Sequence, residues 1–235
     1  MLLPRSAHAQ AFTWGGTGST TTTSAYGTAS KWSDPPVGAP PVFAGQSAIF
    51  GATGSSTVVI ATGPMLPDSW TFTSNSQSYT ISGNPVSFSL QGPTGGLINN
   101  ANAGQIISIY SNINDGGLGP IQVQQLGAST LVLSGTNGYT GGTLISAGTV
   151  QVTNANSLGT GTVMLNGGTL QMQSPTVVSI AFSNNFAINA AGGTVEANGA
   201  QVNLQGIIVR WRGRRRPASD RLDHSECSAV GRQHL

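Results

Sequence analysis

The second half of this chain repeats one short pattern, in which residues of alternating polarity follow a glycine-rich turn. The triplet Gly-Gly-Thr recurs at 141–143, 167–169 and 192–194, at spacings of 26 and 25 residues. Apolar residues occupy every second position in the accompanying segments, which are 148–153, 162–166, 169–173 and 200–204. This period of two is typical of half-buried β-strands. One such repeat cannot bury its own apolar face, so successive repeats must stack on one another.

Two stacked architectures fit these strands. Asn-Gly pairs at 137–138, 166–167 and 198–199 favour a β-sandwich of hairpins, because Asn and Gly tolerate the positive φ of tight hairpin turns. The nearly constant repeat length favours a parallel solenoid, in which each repeat forms one coil. We predict the solenoid: an all-β chain folded as a right-handed parallel β-helix of repeats about 25 residues long.

Residues 12–112 also contain strand-like segments, but these follow no regular period. Proline residues between 35 and 41 indicate a loop, since proline cannot donate to a strand ladder. Aromatic residues are concentrated in this half of the chain, and they include Phe12, Trp14, Trp32, Phe43, Phe50 and Trp70. We therefore predict an irregular β-rich cap over residues 12–112, which covers the open end of a repeat region over residues 113–209.

Charge is scarce in most of the chain. Charged residues number 16 of 235, and only six of them lie in residues 1–209. A helical protein with a Lys- and Glu-rich surface is thereby excluded, and Thr, Ser, Asn and Gln must cover the surface instead.

Residues 210–235 differ sharply in composition, because they hold seven Arg and three acidic residues. One interpretation is a basic arm that binds nucleic acid. The interpretation we prefer is a basic tail that is disordered or translated out of frame, since glycine codons read one base off often give Arg. We accordingly expect no nucleic-acid partner.

The N-terminus resembles the end of a secretory signal peptide. Ala7-His8-Ala9 followed by Gln10 fits a signal-peptidase site, although only Met1, Leu2 and Leu3 stand where an apolar stretch belongs. We interpret residues 1–11 as the remnant of a signal peptide, a chance Ala-rich start being the alternative. No apolar run approaches the 18 or so residues of a membrane helix, so we expect no membrane insertion by this fragment.

Groups that carry catalysis are few. Before residue 210 the chain has four carboxylates in its body (Asp34, Asp68, Asp115 and Glu196) and one histidine (His8), while its single cysteine lies in the tail. A Ser-His-Asp site would require His8. A calcium turn at 114–117 matches its pattern loosely, and a β-turn is the better interpretation. We predict no enzyme, no catalytic, cofactor-binding or metal-ligating residue and no cofactor.

One stretch of the repeat region resembles a known family. Residues 131–143 read LVLSGTNGYTGGT, and AGTVQV (147–152), LGTGTV (158–163) and LNGGTL (165–170) follow with the family's spacing. Together they resemble the autotransporter-associated β-strand repeat. Residues 14–16, 31–32 and 45–50 are similar to the opening segment of such passengers, where the second Trp usually follows Asn rather than Lys.

The resemblance implies a bacterial type V passenger, a β-helical stalk exported through the outer membrane by its own C-terminal barrel. We expect a truncated, non-enzymatic passenger fragment without that barrel, adhesin-like or a structural stalk, at the cell surface, in the outer membrane or secreted. Its expected partner is an unknown surface ligand, a glycan or a host surface, and exposed strand edges favour self-association. Two alternatives remain: a carbohydrate-acting β-helix enzyme using Asp34 and Asp68, and nucleic-acid binding through the tail.

Overall fold

The computed structural model describes residues 10–15, 23–27, 32–33, 40–90, 92–173, 179–210 and 228–234. In this part of the chain there is no helix, and therefore none long and apolar enough to span a membrane. In chain order the strands are β1 (Gln10–Trp14), β2 (Thr23–Ala25), β3 (Trp32–Ser33), β4 (Gln46–Phe50), β5 (Thr57–Ile60), β6 (Ser69–Phe72), β7 (Tyr79–Gly83), β8 (Val86–Phe88), β9 (Gly92–Asn99), β10 (Ile106–Ile109), β11 (Ile113–Asp115), β12 (Ile121–Gln125), β13 (Thr130–Leu133), β14 (Thr143–Ile145), β15 (Thr149–Val152), β16 (Val163–Leu165), β17 (Thr169–Met172), β18 (Ser179–Phe182), β19 (Phe186–Ile188), β20 (Thr194–Leu204), β21 (Ile208–Arg210) and β22 (Ser228–His234).

These strands stack as a parallel β-solenoid with two long faces and a short third side. Face A runs β3-β1-β4-β6-β9-β12-β14-β16-β19-β21, and face B runs β2-β5-β7-β10-β13-β15-β17-β20-β18 with β22 beside β20. Strands β8 and β11 pair on the third side. Every pair is parallel except β1–β3 and β20–β22. The predicted solenoid is confirmed, and the sandwich of hairpins is wrong.

The core is made of ladders that run through successive coils. On face A one inward ladder joins Phe12, Ala48, Trp70, Leu97, Val123, Thr143, Val163, Phe186 and Ile208. Its first step spans 36 residues and the others span 20 to 27, so the coils differ in length while the short strands stay in register. Alternation places the apolar residues of β15, β16 and β17 inward, as the sequence predicts.

The Gly-Gly-Thr triplets do not all mark one position of the coil. Thr143 lies on face A beside Val163, whereas Thr169 and Thr194 pair with each other on face B. The 25-residue spacing between Thr169 and Thr194 is therefore the length of one coil. The 26-residue spacing between Thr143 and Thr169 connects two different faces. The Asn-Gly pair at 198–199 makes a corner inside β20, where Asn198 has a φ of 45° and Gly199 a φ of 86°.

A cluster of buried aromatic rings lies in the first coils of the solenoid. Trp14 and Trp32 contact edge to face at 4.9 Å. The indole nitrogens of Trp32 and Trp70 donate to the carbonyl and the hydroxyl of Tyr26, at 2.8 and 3.0 Å. Buried Tyr and Trp rings need such partners for their polar atoms. The aromatic rings of this region therefore pack with one another, except that Phe43 is 65% exposed, and a cap over residues 12–112 stays a prediction.

Both long faces pass the predicted boundary at residue 112 without a break, since β10 pairs with β13 and β9 with β12. Gln10 and Ala11, the last residues of the predicted signal-peptide remnant, belong to β1. His8, Asp34 and residues 211–227 lie outside the described residues. Within the tail, β22 pairs antiparallel with β20. The interpretation of residues 210–235 as disordered or out of frame stays a prediction.

Candidate functional site

Asp68, one of the two carboxylates that the enzyme alternative requires, contributes to the scaffold. Its side chain is buried, and its Oδ1 accepts hydrogen bonds from the Gly45 amide at 2.8 Å and the Ser89 hydroxyl at 2.5 Å. These donors belong to segments 23 residues before and 21 residues after Asp68. The carboxylate therefore joins neighbouring coils, and its predicted partner Asp34 lies outside the described residues.

Asp115 likewise ties two coils together. It accepts from the Ile121 amide at 2.9 Å and, through Oδ2, from the Thr140 hydroxyl at 2.7 Å and the Thr140 amide at 3.1 Å. The β-turn expected at 114–117 is wrong in one respect, because Asp115 ends strand β11 and the chain bends only after it. In the described ranges, no group of three His, Cys, Asp or Glu residues is arranged to hold a metal ion.

Asn137 is the centre of the family-like motif, and it clamps three consecutive coils. Its side chain is 5% exposed. The Oδ1 atom accepts from the Ile113 amide at 2.8 Å, and the Nδ2 atom donates to the Ser157 carbonyl at 2.6 Å. No described strand follows β11 on the third side, so the amide side chain of Asn137 supplies the partners for the Ile113 amide and the Ser157 carbonyl instead.

Tyr139 fills the adjacent interior. Its hydroxyl lies 2.7 Å from the Thr143 hydroxyl, which in turn donates to the Leu158 carbonyl at 3.3 Å. Burial raises the pKa of the Tyr139 phenol well above its usual range, because the phenolate would be desolvated. The ring is thus a neutral structural group.

Two glycines of the motif allow the coils to approach each other. Gly142 has a φ of 88°, and a Cβ on it would lie 2.3 Å from the Thr162 carbonyl oxygen. Gly159 has a φ of 63°, and a Cβ there would lie 2.4 Å from the Tyr139 carbonyl oxygen and 2.8 Å from its ring. Both the positive φ and the close backbone restrict these positions to glycine.

The family described as passenger-associated-transport-repeat matches residues 123–152. This span contains the Asn137 clamp, Tyr139 and Gly142. The chain contains an autotransporter passenger repeat. The resemblance in the sequence is thereby confirmed, and the motif of the passenger repeat is accounted for by contacts between coils.

A curated relative extends the similarity beyond this span. The adhesin BmaC autotransporter of Brucella suis biovar 1 (strain 1330) is 30% identical to the chain over 171 residues. The alignment covers 70% of the chain and 5% of the adhesin, so the chain spans a small part of that protein's length. No solved structure matches the chain.

The sequence did not reveal a buried polar network that reaches into the start of the passenger repeat. Asn99 and Gln125 occupy adjacent places in an inward ladder of face A, and Asn99 Nδ2 donates to Gln125 Oε1 at 2.7 Å and to the Ser129 hydroxyl at 2.9 Å. Gln125 Nε2 donates to the Ser129 carbonyl at 3.0 Å. The sequence signal for Asn99 and Gln125 was a polar residue at a position where the alternation predicts an inward-facing side chain.

Asn184, which the sequence analysis also missed, acts on the third side farther along the stack. Its Nδ2 atom donates to the carbonyls of Gly159 and Gly161 at 3.0 and 2.8 Å. A second buried asparagine therefore links coils on the side where the passenger repeat places Asn137.

The outward side of face B, which we call the ladder face, carries columns of stacked side chains. One column runs Ile106, Thr130, Thr149, Thr169 and Thr194, and the next runs Ser108, Val132, Gln151, Gln171 and Glu196. Gln151 Nε2 donates to Gln171 Oε1, and Gln171 Nε2 donates to Glu196 Oε2 at 2.7 Å. The ladder face is therefore mostly neutral and rich in amides and hydroxyls.

Proposed function

We propose that the chain is a segment of a surface-displayed autotransporter passenger, with a structural and adhesin-like role and no enzymatic one. The observation that carries this proposal is the parallel stack itself, clamped between coils at the Asn137 motif of the passenger repeat. A rod of in-register coils satisfies its own backbone laterally and presents long side-chain columns outward. Similarity to a curated adhesin over most of the chain supports the same role.

The use of carboxylates supports a non-enzymatic role. Glycoside hydrolysis generally requires two carboxyl groups that flank the scissile bond. Asp68 and Asp115 instead accept hydrogen bonds from groups of neighbouring coils, and Glu196 accepts from Gln171 in the ladder face. The location we propose for the full-length protein is the cell surface or the secreted fraction, with residues 1–11 as a signal-peptide remnant.

The proposal is tested with beads that carry the purified full chain. We expect these beads to be retained on cultured epithelial cells and on polysaccharide-coated plates more strongly than albumin-coated beads. Incubation of the chain with soluble polysaccharides should release no reducing ends. Retention equal to that of albumin beads on every surface would refute adhesion. Polysaccharide cleavage that Asp68→Asn abolishes in a folded variant, as judged by circular dichroism, would establish the enzyme alternative.

A further inference from the structure

The ladder face has an exposed aromatic platform at its middle. Tyr110 follows β10 directly, and its amide donates to the Ile81 carbonyl at 2.8 Å, so the register of face B continues through it. This register places Tyr110 on the outward side, between Ser82 and Ser134. Its side chain is 53% exposed, and that of Ile106 on the same strand is 49% exposed.

A polar array lies on the coils after β10. The register continues the column of Tyr110 along the solenoid axis through Ser134, Thr153 and Gln173. The Gln151–Gln171 amide pair lies one column to the side, and the partly exposed Thr130, Thr149 and Thr169 hydroxyls lie two columns to the side. Successive coils are about 4.8 Å apart, as neighbouring strands are. The Gln151 amide therefore lies two coils, or about 10 Å, beyond Tyr110 along the axis.

We propose, building on the adhesin-like function above, that the ladder face binds an extended neutral glycan that lies along the solenoid axis. A sugar ring has an apolar face and a rim of hydroxyls. An exposed tyrosine ring can pack against the apolar face, while amides and hydroxyls exchange hydrogen bonds with the rim. A sugar unit in an extended glycan is similar in length to the spacing between coils, so successive sugar units can lie over successive coils.

The charge of the ladder face selects a neutral polymer over an acidic one. The columns from β10 to β17 contain no ionisable side chain, and the carboxylate beyond them, Glu196 on β20, has Arg232 of β22 as its register partner. A sulfated or uronic-acid polymer would find no cation on the columns from β10 to β17 to pair with its anionic groups, so it would lose hydration of its charges there without compensation. A glycan without charged groups has no such penalty.

The inference is tested by affinity gel electrophoresis of the full chain in gels that contain hydroxyethylcellulose, galactomannan, dextran or heparin. We expect at least one of the three neutral polymers to retard the chain. Any retardation by heparin, which the seven Arg of residues 210–235 can bind, should be the same in Tyr110→Ala as in the unchanged chain. Tyr110→Ala should weaken the apparent affinity about three- to tenfold. Tyr110→Phe, which keeps the ring, should retain most of it, and Gln151→Ala should weaken it as well.

Phe43→Ala is the matched control, since Phe43 is an aromatic residue that is 65% exposed and lies before β4, a strand of face A. It should bind as the unchanged chain does. Absence of retardation by every neutral polymer, retardation by heparin alone, or equal loss in Tyr110→Ala and Phe43→Ala would overturn the inference. Beads that still adhere to epithelial cells in those cases would leave the adhesin-like function standing, so the two proposals fail separately.

Discussion

Asn137 shows how one side chain can hold neighbouring coils in register. Asn137→Ala leaves the Ile113 amide and the Ser157 carbonyl without their partner in a buried region. We expect a loss of about 2–4 kcal/mol in the free energy of unfolding, since each orphaned buried group costs about 1–3 kcal/mol. Urea unfolding followed by circular dichroism measures this loss.

Asn75→Ala is the matched control for that variant, because Asn75 is exposed and its Oδ1 accepts from Thr73 at the surface. Its effect should stay within about 0.5 kcal/mol. Equal effects of the two substitutions would mean that Asn137 does not clamp the coils.

Gly142 and Gly104 separate backbone strain from crowding at the residue scale. Their φ values are 88° and 86°, but a Cβ on Gly142 meets the Thr162 carbonyl oxygen at 2.3 Å, whereas one on Gly104 meets nothing within 4 Å. Gly104→Ala should cost about 1–2 kcal/mol from the positive φ alone. Gly142→Ala should cost about 1–3 kcal/mol more, as overpacking does. Equal unfolding midpoints for the two variants would argue against close contact of the coils at Gly142.

Some of these residue roles could be predicted from the sequence and others could not. Asn137 and Gly142 were visible as turn residues of the family motif, but a turn residue does not reveal which coil it contacts. Asn99 and Gln125 interrupt an apolar alternation, and the sequence alone does not say whether such residues are buried. Their burial depends on mutual pairing across 26 residues, which only the register determines.

At the scale of the element, the three-residue strand β16 carries neighbouring side chains with opposite surroundings. Leu165 is fully buried in the core, whereas Met164 points outward and is partly exposed. Leu165→Ala should lower the free energy of unfolding by about 2–5 kcal/mol. Met164→Ala, a truncation of similar size, should cost less than about 1 kcal/mol. A larger effect at Met164 in urea unfolding would mean that the strand is turned by one residue.

The alternation in the sequence was sufficient to predict which residues of β16 face inward, because successive side chains of a strand point to opposite sides of the sheet. It was insufficient to assign strands to faces. The triplets ending at Thr143 and Thr169 look equivalent, yet they lie on different faces, since the corners between strands vary in length. The sequence pattern likewise predicts a turn between two separate strands at Asn198, whereas the structure has a corner there inside the single strand β20.

At the scale of the whole molecule, the two long faces differ at their C-terminal edges. On face B the edge of β20 is paired with β22, whereas β21 ends face A and no described strand pairs with its far side. Val209 on β21 is 58% exposed. Because an uncovered strand edge can pair with another chain, we expect the chain to associate as its concentration rises.

Sedimentation velocity across a concentration series measures this association. Val209→Lys should reduce it, since a charge on an edge strand opposes pairing. Met164→Lys, on an interior strand of the same face, should have a smaller effect. A chain that stays monomeric at every concentration would contradict the expectation.

Apart from the antiparallel β3, the described strands from β1 to β21 form one continuous parallel stack, and distances along one outward ladder test this most directly. One outward column of face A contains Ile49, Leu144, Met164 and Ala187. Leu144, Met164 and Ala187 lie four, five and six coils from Ile49, respectively. With Cys227 replaced by serine, spin labels at Ile49 and at each of the other three sites give three distances by pulsed EPR. The account predicts backbone separations of about 19, 24 and 29 Å, rising by about 4.8 Å for each coil. Distances that do not rise in equal steps would contradict a continuous solenoid.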